Sequence, residues 1–306
     1  MPWLPSLRPS ADSPFHARAW RTALALAVSA LVGETRAAPL NVPLWDGRPP
    51  GFVDNAPPEG TDAAGTVDHV NTPSMDVHLP TRRGAPVAAL IVCPGGSYSR
   101  VGLVTSGMGT IDAFVPRGVA IIVLKYRTKP PSRDVVTDAL ADARRAVRQV
   151  RLHAAEWNID PHRVGLVGGS AGAHLVLNLA THWDQGNPAS ASPVERNGCR
   201  PDFIGLLCPW PNRQPVSDFP ITATTPPAFI ASARDDAVAP TSFAEDIAGG
   251  YTRAGVKARL WVIAKGGHTA FKLGANRGEG SRWPERFTAW LEDEVGLPFL
   301  TKDARR

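Results

Sequence analysis

The chain has 306 residues, a formal net charge of +5, and 43% hydrophobic against 20% charged residues, the balance of a globular protein large enough for a substantial core. No Lys/Arg block stands out along it, which argues against a nucleic-acid or anionic-membrane surface. Its three cysteines, Cys93, Cys199 and Cys208, are too few for a disulfide framework.

Residues 1–37 have the layout of an export signal. Arg18 and Arg21 precede an apolar run from Thr22 to Val32, and Thr35-Arg36-Ala37 offers small residues at the positions a signal peptidase recognises. The run is short for a transmembrane helix. It also lacks the polar face of an amphipathic one. The expected mature chain is 38–306, a single domain without an integral membrane segment, periplasmic or extracellular.

The 30 prolines, about twice the usual frequency, predict stiff surface connections. Pro43 to Gly51 is such a lead-in, and polar loop follows to about Thr72. Met75 to Leu79 alternates weakly, as an edge strand would. Val87 to Cys93 is an unbroken apolar run, the mark of a strand buried on both faces, and it ends in the Gly-rich loop Pro94-Gly95-Gly96-Ser97-Tyr98. A helix around Met108 to Pro116 leads to a second buried strand, Val119 to Leu124.

From Asp134 the period becomes helical, with Val136, Leu140, Ala143, Val147 and Val150 on one face and Arg144, Arg145, Arg148 and Arg151 mostly on others. Asp142, within that helix, reads as an ion-pair partner. Next comes a short apolar strand, then Gly168-Gly169-Ser170-Ala171-Gly172, then a helix to about His182. Gly-x-Ser-x-Gly between strand and helix is the nucleophile-elbow pattern. Taken alone it is also an ordinary Gly-rich turn of a parallel sheet.

A polar insert runs to Arg200. Further strands are expected at Phe203–Cys208, Ala228–Ala233 and Ala258–Ile263, a helix from Ser242 to about Arg253, and a last helix from Glu285 to Glu294. Strands alternating with helices argue a mostly parallel, doubly wound α/β sheet with helices on both faces. Cys93 and Cys208, at the ends of apolar runs, read as small buried hydrophobes. A Cys199–Cys208 bridge stays open. No Cys/His cluster has zinc spacing, and His174 and His182, two turns apart on one helix, are too distant to share an ion, so neither metal nor cofactor is expected.

In open α/β sheets chemistry sits beyond the carboxyl ends of the strands. The polar residues there are Ser170, then Asp235 or Asp236, then His268 in Gly266-Gly267-His268. Ser, Asp, His is the chain order of α/β hydrolases. A serine hydroxyl needs a base to take its proton. Histidine suits that task near neutral pH, and a carboxylate holds its tautomer. The backbone N–H groups of Gly96, Ser97 and Ala171 are the candidates for stabilising an oxyanion. Each residue also has a plain reading: Ser170 a turn filler, His268 a surface-loop histidine, the Asp pair a helix N-cap.

Together these segments resemble the acetyl xylan esterase and feruloyl-esterase-like branch of the α/β-hydrolase superfamily. The resemblance rests on Cys93-Pro94-Gly95-Gly96-Ser97-Tyr98, Leu124-Lys125-Tyr126-Arg127, Asp142-Ala143-Arg144-Arg145, Ile159-Asp160-Pro161, Gly169-Ser170-Ala171-Gly172-Ala173-His174-Leu175 and Gly266-Gly267-His268. It implies hydrolysis of carboxylic esters, often acetyl groups on plant polysaccharides, without cofactor. The family's spacing of the catalytic Asp to a later Val and Pro falls on Asp236, Val238 and Pro240 and so favours Asp236. The chain departs from the family in having Ser97 in place of a third glycine, and Thr269-Ala270-Phe271 after His268. The paired carboxylates of a glycosidase are not evident. The competing functions are a peptidase or lipase on the same fold, or a carbohydrate-binding relative without catalysis.

Overall fold

Val87–Cys93 (β5) is buried along its whole length, and its side chains alternate between two apolar layers. Ala89, Ile91 and Cys93 enter one; Ala88, Leu90 and Val92 enter the other. That two-sided burial is why the strand shows no polar alternation in the sequence. The computed structural model describes residues 38–81, 84–274 and 278–300, so the expected export segment lies outside the described residues.

Around β5 the parallel strands are β7 (Ala120–Lys125), β8 (Ile159–Gly169), β9 (Ile204–Leu207), β10 (Ala228–Ala233) and β11 (Ala258–Ile263). Their order is β7-β5-β8-β9-β10-β11, continued past β7 by antiparallel β4 (Ser74–His78) and β1 (Leu40–Pro43). Helices α2 (Val135–Leu152), α3 (Ala171–Thr181) and α4 (Thr241–Arg253) cover one face; α1 (Leu103–Phe114) and α5 (Trp283–Ala289) cover the other. This is the expected α/β-hydrolase architecture. Among the described residues no helix is long and apolar enough to cross a membrane.

Several local expectations change. The edge of the sheet is β1, which ends at Pro43 where the proline-rich lead-in begins, and the expected edge strand β4 lies one place in, between β1 and β7. The polar stretch before Thr72 holds β2 (Gly60–Thr61) and β3 (Thr66–Asp68), which form a small antiparallel sheet with β6 (Arg100–Gly102). Strands of two or three residues are too short to show a period. The first helix begins at Leu103, and the last is α5 running into a π-helical turn at Trp290–Val295. The cysteines are all free and buried, so Cys199 and Cys208 are not bridged.

Helix α2 starts where Asp134 accepts a hydrogen bond from the Thr137 N–H, a side-chain N-cap. Its arginines pin the polar insert. Arg145 and Arg148 both reach Glu195, Arg148 also reaches Asp184, and Arg151 donates to Gly198 O and Arg200 O. Arg145 is thereby buried, an exception among arginines expected mostly on faces other than the apolar one.

Asp142 is wholly buried and accepts from the Arg127 backbone N–H, Arg127 Nε and NH2, and the Trp45 indole at 2.9–3.0 Å. Burial raises its carboxyl above the usual range, opposed chiefly by the Arg127 bonds and charge. Asp142→Ala removes the fully buried partner of a guanidinium that is 1% exposed, and leaves it Asp138 as its other carboxylate, at 3.1 Å. The expected loss is about 3–5 kcal/mol of unfolding free energy, measured by urea denaturation, with partial recovery when Arg127→Met is added.

Candidate active site

The strand order reverses at β5: the chain passes to β7 on one side, then returns to β8 on the other. A crevice opens where connections leave in opposite directions. The loop after β5 and the turn after β8 meet there. A Cβ on Gly95 would stand 3.4 Å from the Ser170 Cβ, and one on Gly172 would overlap the Cys93 carbonyl. Glycine at 172 lets helix α3 start directly against the end of β5. Ser170 itself sits at φ +56°, ψ −122°, a backbone position that costs about 1–3 kcal/mol and persists only where the surroundings over-determine it.

The structure brings Ser170, His268 and Asp236 together. His268 Nε2 is 2.8 Å from Ser170 Oγ, and His268 Nδ1 is 2.8 Å from Asp236 Oδ2. With Asp236 ionised, Nδ1 donates to the carboxylate and Nε2 accepts the serine hydroxyl proton, the tautomer a general base requires. The Asp236 side chain has no exposure, whereas His268 is 26% exposed at the cavity rim.

The two aspartates have separate tasks. Asp236 Oδ1 accepts from the N–H groups of Val238 and Ala239, leaving Oδ2 for His268. Asp235 is exposed and accepts from Gly266 and Gly267 N–H, fixing the loop that carries His268. Those two bonds are also what lowers its carboxyl. Neither residue caps a helix: the N-cap of α4 is Pro240.

Gly96 and Ser97 line the cavity of about 290 Å³ that opens on Ser170, with Thr105, Phe271 and Trp283 in its wall. The N–H groups of Gly96 and Ser97 make no turn or loop bond among the described residues. Ala171 begins helix α3, so its N–H is one of those a helix leaves unpaired. All three are therefore available to an oxyanion. Ser97 adopts φ +55° and Tyr98 φ +60°, so the departure from a third glycine is accommodated by holding a non-glycine residue in the left-handed region.

A buried network holds that loop, and sequence reasoning did not find it. Tyr98 Oη donates to His174 Nδ1 at 2.8 Å, and His174 Nε2 donates to Gln214 Oε1 at 2.6 Å. Lys129 N–H donates to Tyr98 O, and Tyr126 Oη to Pro94 O. Burial lowers the His174 pKa to about 4, keeping the ring neutral and able to accept from Tyr98. The only hint in the chain is His174 one turn after Ser170; Gln214 lies in the proline-rich loop, without a pattern. Tyr98→Phe is expected to lower kcat about tenfold with KM little changed. That is less than the 10²–10³ of deleting an oxyanion donor, because the three backbone N–H groups stay while the support of their loop loosens. Steady-state kinetics at pH 7 check it.

Residues 75–195 match the BD-FAE family model, a stretch that contains Ser170 but neither Asp236 nor His268. An acetylxylan esterase of Xylanibacter ruminicola is 33% identical over 121 residues, 40% of this chain and 22% of that protein. The chain spans 22% and 27% of the length of the first curated relatives it matches. Among solved structures, an acetyl ester-xyloside bifunctional hydrolase from Caldicellulosiruptor lactoaceticus superposes with a TM-score of 0.69 at 25% identity, covering 86% of this chain and 99% of that one. The propionate-bound esterase Est2 of Thermogutta terrifontis superposes at 0.64 with 21% identity, over 81% and 96% of the two chains.

Proposed function

We propose that this chain, a member of the α/β-hydrolase superfamily, is an exported serine carboxylic-ester hydrolase that removes short acyl groups from carbohydrate esters. The observation that carries the chemistry is the unbroken hydrogen-bond path Ser170–His268–Asp236, at 2.8 Å for each link. Ser170 Oγ attacks the ester carbonyl as its proton passes to His268 Nε2. The developing oxyanion takes the N–H groups of Gly96, Ser97 and Ala171. His268 then protonates the leaving alkoxide, and an acyl group remains on Ser170. Water, deprotonated by the same imidazole, repeats the sequence and releases the acid.

A cavity of about 290 Å³ lies at the small end for ligand sites, which supports a short acyl group, and the acetylxylan esterase likeness supports a sugar alcohol. The basic, then apolar, then small-residue order of residues 1–37 supports export. A fluorophosphonate probe is expected to label the Ser170 peptide. In a panel of p-nitrophenyl esters, acetate should exceed octanoate at least tenfold in kcat/KM, and acetylated xylan should release acetic acid. Absence of both labelling and ester turnover sinks the proposal. A preference for octanoate transfers it to the lipase reading.

A further inference from the structure

The strand β9 ends at Leu207, and the next residue, Cys208, lies beside the Ser170–His268–Asp236 path without belonging to it. Its Sγ, an Asp236 carboxylate oxygen and a His268 ring nitrogen all fall within 4.8 Å of one another. Cys208 Sγ is also 3.4 Å from the His268 carbonyl oxygen. Cys208 and His268 both line the cavity that opens on Ser170, and Asp236 lies behind them with its side chain fully buried.

We propose that Cys208, Asp236 and His268 form a binding site for a thiophilic divalent cation such as Zn²⁺ or Cd²⁺, and that the bound cation blocks turnover. The donor set matches what zinc takes: thiolate sulfur at about 2.3 Å, imidazole nitrogen at about 2.0–2.1 Å and carboxylate oxygen at about 2.0–2.2 Å. Tetrahedral coordination holds such atoms about 3.3–3.6 Å apart, so a spread within 4.8 Å needs only a small closing movement. The 2.8 Å separation of His268 Nδ1 and Asp236 Oδ2 opens slightly as a cation takes the place of the shared proton. Asp236 is already fixed through Oδ1 by two backbone N–H groups, which orients its other oxygen as an outer shell orients a ligand.

Binding forms a sulfur–metal, a nitrogen–metal and an oxygen–metal bond, and releases to solvent the Cys208 thiol proton and the His268 Nδ1 proton. No electron transfer is involved. Three ligands leave a fourth position for water. The imidazole, held through Nδ1 by the cation, no longer has the Asp236 carboxylate to stabilise its protonated form, so proton transfer from Ser170 fails. The site is invisible to sequence spacing because its ligands follow three different strands, β9, β10 and β11.

The direct test is a Co²⁺ titration of the whole protein, read by absorption. A sulfur-to-cobalt charge-transfer band in the wild type that disappears in Cys208→Ser supports the site, and no band in the wild type overturns it. This arm is independent of any catalytic reading. The second arm rests on the ester-hydrolase proposal and follows p-nitrophenyl acetate turnover. Zn²⁺ and Cd²⁺ are expected to inhibit while Mg²⁺ and Ca²⁺ do not, and Cys208→Ser should weaken Zn²⁺ inhibition by about tenfold or more, the least that even an outer-shell partner is worth. Metal-free turnover of each protein is the reference against which its own Zn²⁺ inhibition is read. Equal Zn²⁺ sensitivity of wild type and Cys208→Ser overturns the site. Should the serine variant fail to fold, Cys208→Ala carries the same comparison.

Discussion

Ser170→Ala is expected to lower kcat/KM for p-nitrophenyl acetate by about 10⁴- to 10⁶-fold, the scale on which serine hydrolases lose activity with their nucleophile. Under the proposed mechanism the residual rate comes from binding and the oxyanion donors, which the substitution leaves in place. Folding should hardly change. The Ser170 hydroxyl bonds His268 Nε2, a ring partly open to water, and its backbone N–H keeps its bond to Leu207 O at 3.0 Å. Alanine inherits the same φ of +56° and hence the same strain. A urea midpoint shifted by less than about 1 kcal/mol in equivalent free energy beside a collapsed rate identifies the hydroxyl as the nucleophile. A rate within tenfold of wild type removes that role.

The second large effect separates two adjacent carboxylates. Asp236→Asn is expected to cost about 10⁴-fold in kcat, because an amide in place of Oδ2 favours the wrong imidazole tautomer. Asp235→Asn should cost less than about tenfold. Its oxygens hold only the Gly266 and Gly267 N–H groups at 3.0 and 2.8 Å, and an amide oxygen keeps one such bond. Steady-state kinetics on the two variants test the distinction. Comparable losses in both would mean that loop placement outweighs the hydrogen bond to His268.

Some of this molecule is legible in a single sequence for definite reasons. Val87–Cys93 and Ala228–Ala233 show as apolar runs because burial on both faces leaves no polar alternation. The helix after Asp134 shows because one of its faces is apolar and its cap is local. The strand β1 does not show. Pro43 and its neighbours resemble loop, and only pairing with β4 makes them a strand. The same holds for β2 and β3, whose existence depends on partners within and beyond their own stretch.

Local sequence determined the turn at Gly168–Gly172, the order Ser170, Asp, His268 along the chain and the buried strands that deliver them, because backbone sterics and apolar burial act over a few residues. The family spacing favoured Asp236 over Asp235; only the tertiary structure decided that the Asp236 carboxylate meets His268 while Asp235 holds Gly266 and Gly267, that Tyr98, His174 and Gln214 support the loop after β5, and that Cys208 stands beside Asp236 and His268. The hydrogen bonds among them join residues 31 to 76 positions apart. Their geometry follows from strand order and loop packing, and a hydrogen bond of about 3 Å depends on atomic positions that composition does not fix.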